Sequence, residues 1–368
     1  MKKLLLILLC LPLLTLAQKT YVPDDNFEAY LEANGMGNGV ANDDSVTTSN
    51  IIGITFLNIS SKAISDLTGI EDFTALTSLI CWNNQLTSLD VSQNTALTSL
   101  DCQSNQLTNL DVSQNTALTS LDCQSNQLTN LDVSQNTVLT YLNCQSNQLT
   151  SIDVTHNTAL TSLSCQLNQL ASLDVTNNTA LTFLNCRSNQ LTNLDISQNT
   201  ALTYLYCWNN QLTSLDVSQN TALTELDCSP NQLTSLDVRN GNNQNFSYFN
   251  VTNNPNLTCI NVDDLTYSTN NWTNIDAQHY FSTNCSVPNS VQEIPQSISL
   301  YPNPTNENIT ISINNFNGNI QTEIYDLIGN RLQISNETTI SLQDYARGIY
   351  LLKVAYGDKL QEVKVIKE

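Results

Sequence analysis

The chain has 368 residues and a formal net charge of -21, from 33 acidic and 12 basic residues. Between residues 18 and 297 only four cations (Lys19, Lys62, Arg187 and Arg239) face 25 acids, whereas residues 298–368 hold 6 basic and 8 acidic residues. A body this acidic repels nucleic acid and anionic membrane surfaces, which excludes both as partners and leaves proteins, glycans and cations.

The first element is a predicted signal peptide over residues 1–17. Lys2 and Lys3 precede an apolar run over 4–16, and Leu16-Ala17-Gln18 offers a cleavage point. The run is short for a membrane span and its only flanking charges lie upstream. No later stretch approaches spanning length, so an exported chain without a transmembrane segment is expected, and Cys10 leaves with the leader. Residues 18–53 then read as an N-terminal cap, in which residues 23–32 (PDDNFEAYLE) predict a short acidic helix over the open end of a stack of repeats.

The repeats themselves are regular. Leu76, Leu97, Leu118, Leu139, Leu160, Leu181, Leu202 and Leu223 recur every 21 residues, and regular repeats run over 76–243 within a solenoid spanning 54–262. In residues 97–117 (LTSLDCQSNQLTNLDVSQNTA) the half-repeat LxxLxCxxN is followed ten residues later by LxxLxVxxN. Period-two alternation in Leu100-Asp101-Cys102 and in Leu110-Asp111-Val112 predicts two short strands per turn, each sending two apolar side chains inward. The fold class is therefore all-β dominated: a flattened coil with a sheet on each broad side and roughly seven apolar groups per turn pointing inward. Asn105 and Asn115 mark the corners, and their equivalents are expected to stack as structural ladders bonded to backbone and to the next turn. Eight cysteines from Cys81 to Cys228 share the repeat period, so they read as buried small hydrophobes, not as disulfides or metal ligands.

Outward positions carry the information about function. On the second-strand side they barely change, and Asp90, Asp111, Asp132, Asp153, Asp174, Asp195, Asp216 and Asp237 form a column. Two readings of that column stand: Ca2+ held along it, or solvated carboxylates bonded by flanking Ser, Thr and Asn. The lack of a DxDxDG loop favours the second. On the first-strand side one column runs Ser78, Ser99, Ser120, Tyr141, Ser162, Phe183, Tyr204, Glu225. The next reaches Asn185, Tyr206 and Asp227, and a third runs from Trp82 through four glutamines to Arg187, Trp208 and Ser229. Phe183, Asn185, Arg187, Tyr204, Tyr206, Trp208 and Glu225 thereby form a candidate ligand surface, with simple aromatic cover of a sheet as the plainer alternative. His156 and His279 are the only histidines, and no catalytic arrangement can be drawn around either, so neither an enzyme nor a bound metal centre is expected.

The pattern degenerates after residue 243. Residues 263–285 read as a C-terminal cap, where Cys259, at an outward position of the last turn, is expected to pair with Cys285. Residues 286–297 (SVPNSVQEIPQS) read as a linker. Residues 298–368 show alternating strands at 309–313, 321–327, 349–355 and 361–366, which fit a small β-sandwich; a fibronectin-like binding domain is the alternative reading.

Two resemblances attach to these motifs. LxxLxLxxN with an asparagine corner resembles bacterial leucine-rich repeats of the 21-residue nested class, and residues 64–70 (ISDLTGI) resemble the opening turn of internalin-like proteins. That resemblance implies protein or glycan binding without catalysis; a rigid acidic spacer of the cell surface is the alternative. The second rests on Tyr301, Pro302, Asn303 and Pro304, on 324–329 (IYDLIG), on Gly348 and Tyr350 in 348–354, and on Lys364 and Lys367 in the basic tail. Together these resemble the type A sorting domain of the type IX secretion system of Bacteroidota. It implies contact with that machinery, delivery to the outer-membrane surface or medium, and removal of the domain. A monomer is expected.

Overall fold

The structure is a computed structural model that describes residues 18–285, 298–313, 316, 318–357 and 359–368. The expected signal peptide and linker lie outside the described residues. Contacts divide the chain into two units, Met1–Cys285 and Ser286–Glu368. Among the described residues no helix is long and apolar enough to cross a membrane.

In the first unit, ten three-residue strands from Phe56–Asn58 to Tyr248–Asn250 stack as one parallel sheet, one strand per turn. The register is strict, with Leu79 opposite Leu100 and Leu100 opposite Leu121. A typical turn buries Leu97, Leu100, Cys102, Leu107, Leu110 and Val112 completely or nearly so, six apolar groups where about seven were expected. No turn can bury these groups without its neighbours, and each fully buried leucine is worth about 1.5–3 kcal/mol.

The second broad side differs from expectation. Strands form there only near the C-terminal end, at Ser214–Asp216, Ser235–Asp237, Cys259–Asn261 and Tyr280–Ser282. In earlier turns the only ladder contact described on this side is an isolated bridge between Asp90 and Asp111. The side chains still alternate in and out, because burial of Leu110 and Val112 demands it. Corner asparagines tie the turns together on this side as on the other: Asn115 Nδ2 donates to Val91 O and Asn94 O, 2.9 Å away, in the preceding turn, as Asn126 Nδ2 does to Cys102 O at 3.1 Å.

Both ends are closed. Helix α1 (Asp25–Ala33) is capped by Asp24, which accepts from the Asn26 and Phe27 N–H groups. Its second oxygen accepts from Ser65 N and Asp66 N, so one carboxylate starts the helix and docks it on the first turn. Phe27 stacks on Phe73 at 6.3 Å. Gly69 lies under this cap with φ 101°, where an added Cβ would meet Tyr21 O at 2.6 Å. At the other end helix α2 (Leu265–Asn271), not foreseen from sequence, brings Trp272 onto Phe249 at 4.0 Å and beside Phe281 at 5.7 Å.

Cys259 and Cys285 are joined, with Cα atoms 5.7 Å apart, while the eight repeat cysteines are free and buried. Burial pushes the Cys144 and Cys186 thiols up to about 12. The native protein should therefore resist iodoacetamide at about pH 8, near the ordinary thiol pKa. Unfolding without reductant should label the eight ladder thiols, and Cys259 and Cys285 only after reduction. Peptide mass spectrometry reads the outcome, and native labelling of the ladder would contradict a sealed core.

The second unit is two antiparallel sheets, one of three strands and one of four. The strands at Asn308–Ile313, Ile320–Tyr325, Gly348–Tyr356 and Lys359–Lys367 correspond to the four expected; Ile298–Tyr301, Arg331–Ser335 and Thr339–Ser341 were not read. Ile309, Ile324, Ile340, Leu352, Val354 and Val365 fill its separate core.

Candidate functional site

The in-register stack brings the candidate side chains together on the outer face of the long sheet. Tyr204 lies opposite Phe183 on one side and Glu225 on the other; Tyr206 lies opposite Asn185 and Asp227. The Phe183 ring sits 6.2 Å from Tyr204 and 5.9 Å, edge on, from Tyr206. The Arg187 guanidinium carbon lies 4.9 Å above the Trp208 ring. A surface hollow of about 330 Å³ is lined by Asn185, Arg187, Tyr206, Trp208, Glu225, Asp227 and Tyr248.

Five of the seven sequence candidates line this hollow, while Phe183 and Tyr204 buttress it from the side. Tyr248 was missed because it lies in a degenerate turn, 23 residues beyond Glu225 instead of 21, although it pairs with Glu225 in register. Asp227 stood on the right column but outside the chosen set. Continuing each column by one turn would have found both.

The hollow is electrostatically mixed. Tyr206 donates its hydroxyl to Glu225 Oε2, and burial together with that carboxylate raises the Tyr206 pKa above the usual phenol range. Burial also raises Asp227, whose Oδ2 accepts from the Tyr248 hydroxyl at 3.4 Å. Arg187 Nε is buried without a hydrogen-bond partner. One rung earlier, the glutamine ladder, in which Gln124 Nε2 donates to Gln103 Oε1 at 2.7 Å, ends on Gln166 Oε1, also without a partner. Among the described residues of this unit, the other cations are engaged elsewhere: Lys19 with Asp43 at 2.9 Å, Arg239 with Asp237, and Lys62 over the Tyr30 ring. A planar cation on an aromatic platform, flanked by an amide and two carboxylates, suits a polar ligand with an apolar face.

The other features singled out from sequence have protein partners. Every column aspartate accepts a backbone N–H from the residue two positions on, as Asp132 does from Ser134 at 2.9 Å. The N–H groups of Ser92, Ser113 and Ser134 hold Asp90, Asp111 and Asp132 below the usual carboxylate range. His279 is buried in the cap against Asn254 O, and His156 is exposed beside Thr155. In the second unit Asn303 bridges the start and end of the domain: Nδ2 donates to Lys364 O at 2.9 Å and Oδ1 accepts from Ile366 N at 2.9 Å. Lys367 Nζ donates to Asn306 O, and the Tyr350 hydroxyl to Ala346 O.

Comparison with known proteins agrees with this division. The family described as the secretion system C-terminal sorting domain matches residues 299–368, and that of leucine-rich repeats in two copies matches residues 200–248. Over 74 residues, 20% of this chain, the sequence is 48% identical to Internalin J of Listeria monocytogenes serotype 4b, and the match spans 8% of that protein's length. The functional domain of that internalin, whose structure includes a cysteine ladder, aligns over 96% of this chain and 99% of its own at 28% identity, with a TM-score of 0.43. An internalin, inlF, of Listeria monocytogenes aligns over 71% of this chain and 91% of its own at 21% identity and a TM-score of 0.53, which establishes the fold. Export to the cell surface or the extracellular space follows from the sorting domain.

Proposed function

We propose that this leucine-rich-repeat protein, exported by a type IX sorting domain, is a monomeric recognition scaffold, not an enzyme, and that it binds a protein or glycan on the face formed by residues 183–187, 204–208 and 225–227. The observation that carries this reading is a clustered break in an otherwise repetitive surface. Columns made mostly of serine, glutamine and short acidic or amide side chains give way over two adjacent turns to Phe183, Tyr204, Tyr206 and Trp208, with Arg187 stacked on the tryptophan. Interface energy concentrates in such groups of aromatic and arginine side chains. The uniform aspartate side supports a second reading, a rigid acidic spacer, which needs no such break.

The sorting unit is read by the secretion machinery, in this proposal, through Tyr301, Pro302, Asn303, Pro304, Gly348, Tyr350, Lys364 and Lys367. The Asn303 bridge, which holds the first motif against the basic tail, supports grouping them.

The test begins with a ligand captured by residues 18–297 on a glycan array or in a pull-down. Replacing Tyr204, Tyr206 and Trp208 with serine should then weaken binding roughly 30-fold or more, the loss of a hot spot of about 2 kcal/mol. The far-UV spectrum and melting temperature should stay near wild type, since these side chains point outward. Undiminished binding by the triple variant would move the site elsewhere, to the aspartate column first.

A further inference from the structure

We propose that the N-terminal cap binds one Ca2+ through Asp25, Glu28 and Asp44. Carboxylate oxygens from these three residues, one from each, lie within 4.8 Å of one another. Asp25 and Glu28 face this point from the first turn of α1. Asp44 reaches it from the loop before strand Ser45–Thr47, where its backbone adopts a left-handed φ of 53°. The donors are all hard oxygens. Ca2+ takes six to eight such oxygens at about 2.3–2.6 Å in flexible geometry and accepts a partly hydrated site, whereas Mg2+ demands a near-ideal octahedron.

A second observation separates this cluster from an ordinary acidic surface. Glu28 is only 1% exposed. Its Oε1 accepts from Asp43 N at 3.1 Å, but its Oε2 is buried with no hydrogen-bond partner. A helix N-terminus explains why Asp25 and Glu28 are tolerated in the first turn, but it leaves that oxygen unsatisfied. The described lysines of this unit, Lys19 and Lys62, do not supply the missing partner. Lys19 is held by Asp43 and Ser45, and Lys62 lies over the Tyr30 ring at 5.6 Å. A bound cation would satisfy Glu28, neutralise the three carboxylates and tie α1 to the 43–45 loop, whose Asp44 O already accepts from Val22 N at 2.9 Å. The aspartate column differs, because none of its carboxylates holds a buried oxygen without a partner.

The experiment uses the exported chain, stripped with EDTA and titrated with CaCl2 by calorimetry, with Tb3+ luminescence as a second readout. Wild type should bind one equivalent with a Kd of about 10⁻⁴–10⁻³ M, as extracellular calcium modules do, and should melt higher in Ca2+ than in EDTA. Asp44→Asn, at an exposed position that tolerates the change, and the near-isosteric Glu28→Gln should each weaken binding at least tenfold and remove the melting shift. Asp132→Asn, on the column, should change neither. Absence of binding and of a melting shift in wild type overturns the proposal. So does full binding by Asp44→Asn, or loss of binding in Asp132→Asn.

Discussion

Asn147→Ala should lower the stability of the repeat unit by about 3–5 kcal/mol, and Asn157→Ala by only about 1–3 kcal/mol, although both residues are buried corner asparagines. The difference lies in what each side chain satisfies. Asn147 donates to Cys123 O, Cys144 O and Gln145 O at 3.1–3.2 Å, and its Oδ1 accepts from Leu128 N at 2.9 Å. Alanine therefore strands a buried N–H as well as carbonyls. Asn157 donates to Val133 O and Asn136 O at 2.9 Å, but its own Oδ1 has no partner. Its removal strands only carbonyls, which carry two lone pairs and tolerate under-satisfaction better, and it also removes one orphaned acceptor. Urea unfolding followed by far-UV circular dichroism measures both, and an Asn157 variant as damaged as the Asn147 variant would refute the account.

A chain ending before Ile298 should fail to reach the cell surface, with delivery falling from most of the protein to a trace. The sorting domain occupies residues 299–368 and has a hydrophobic core of its own, separate from that of the repeats. Its removal therefore takes away the export address without opening the solenoid. The shortened protein should accumulate, folded, behind the outer membrane. Cell fractionation with surface proteolysis tests this, and the Cys259–Cys285 bond reports that the retained body has matured. Surface levels equal to wild type would show that the address lies elsewhere.

The 21-residue period alone determined which side chains point inward, which columns face solvent and where the corners fall. Parity is a local property of an extended chain, so Leu100, Cys102 and Val112 could be read as core from their spacing. The Cys259–Cys285 pair was legible for the same reason: Cys259 breaks the inward cysteine series, and one other cysteine outside that series closes the cap. The candidate face was legible as a change along three columns, from Ser162 to Phe183, from Asn185 to Tyr206 and from Gln166 to Arg187.

Distances between turns are not local, and these the tertiary structure decided. Periodicity assigned both half-repeats a strand, yet backbone bonding closes into a continuous sheet on one side only, while corner asparagines bond successive turns on both. Tyr248 joins the hollow because the chain absorbs two extra residues before it while keeping register with Glu225. Asn303 meets Lys364 and Ile366 across 61 and 63 residues. Glu28 sits at a helix position that reads as acidic surface, and only docking of the cap buries it with one oxygen unpartnered. In each case the residue type was visible in the sequence, but its partner depended on how separate turns and caps pack, which no period along the chain encodes.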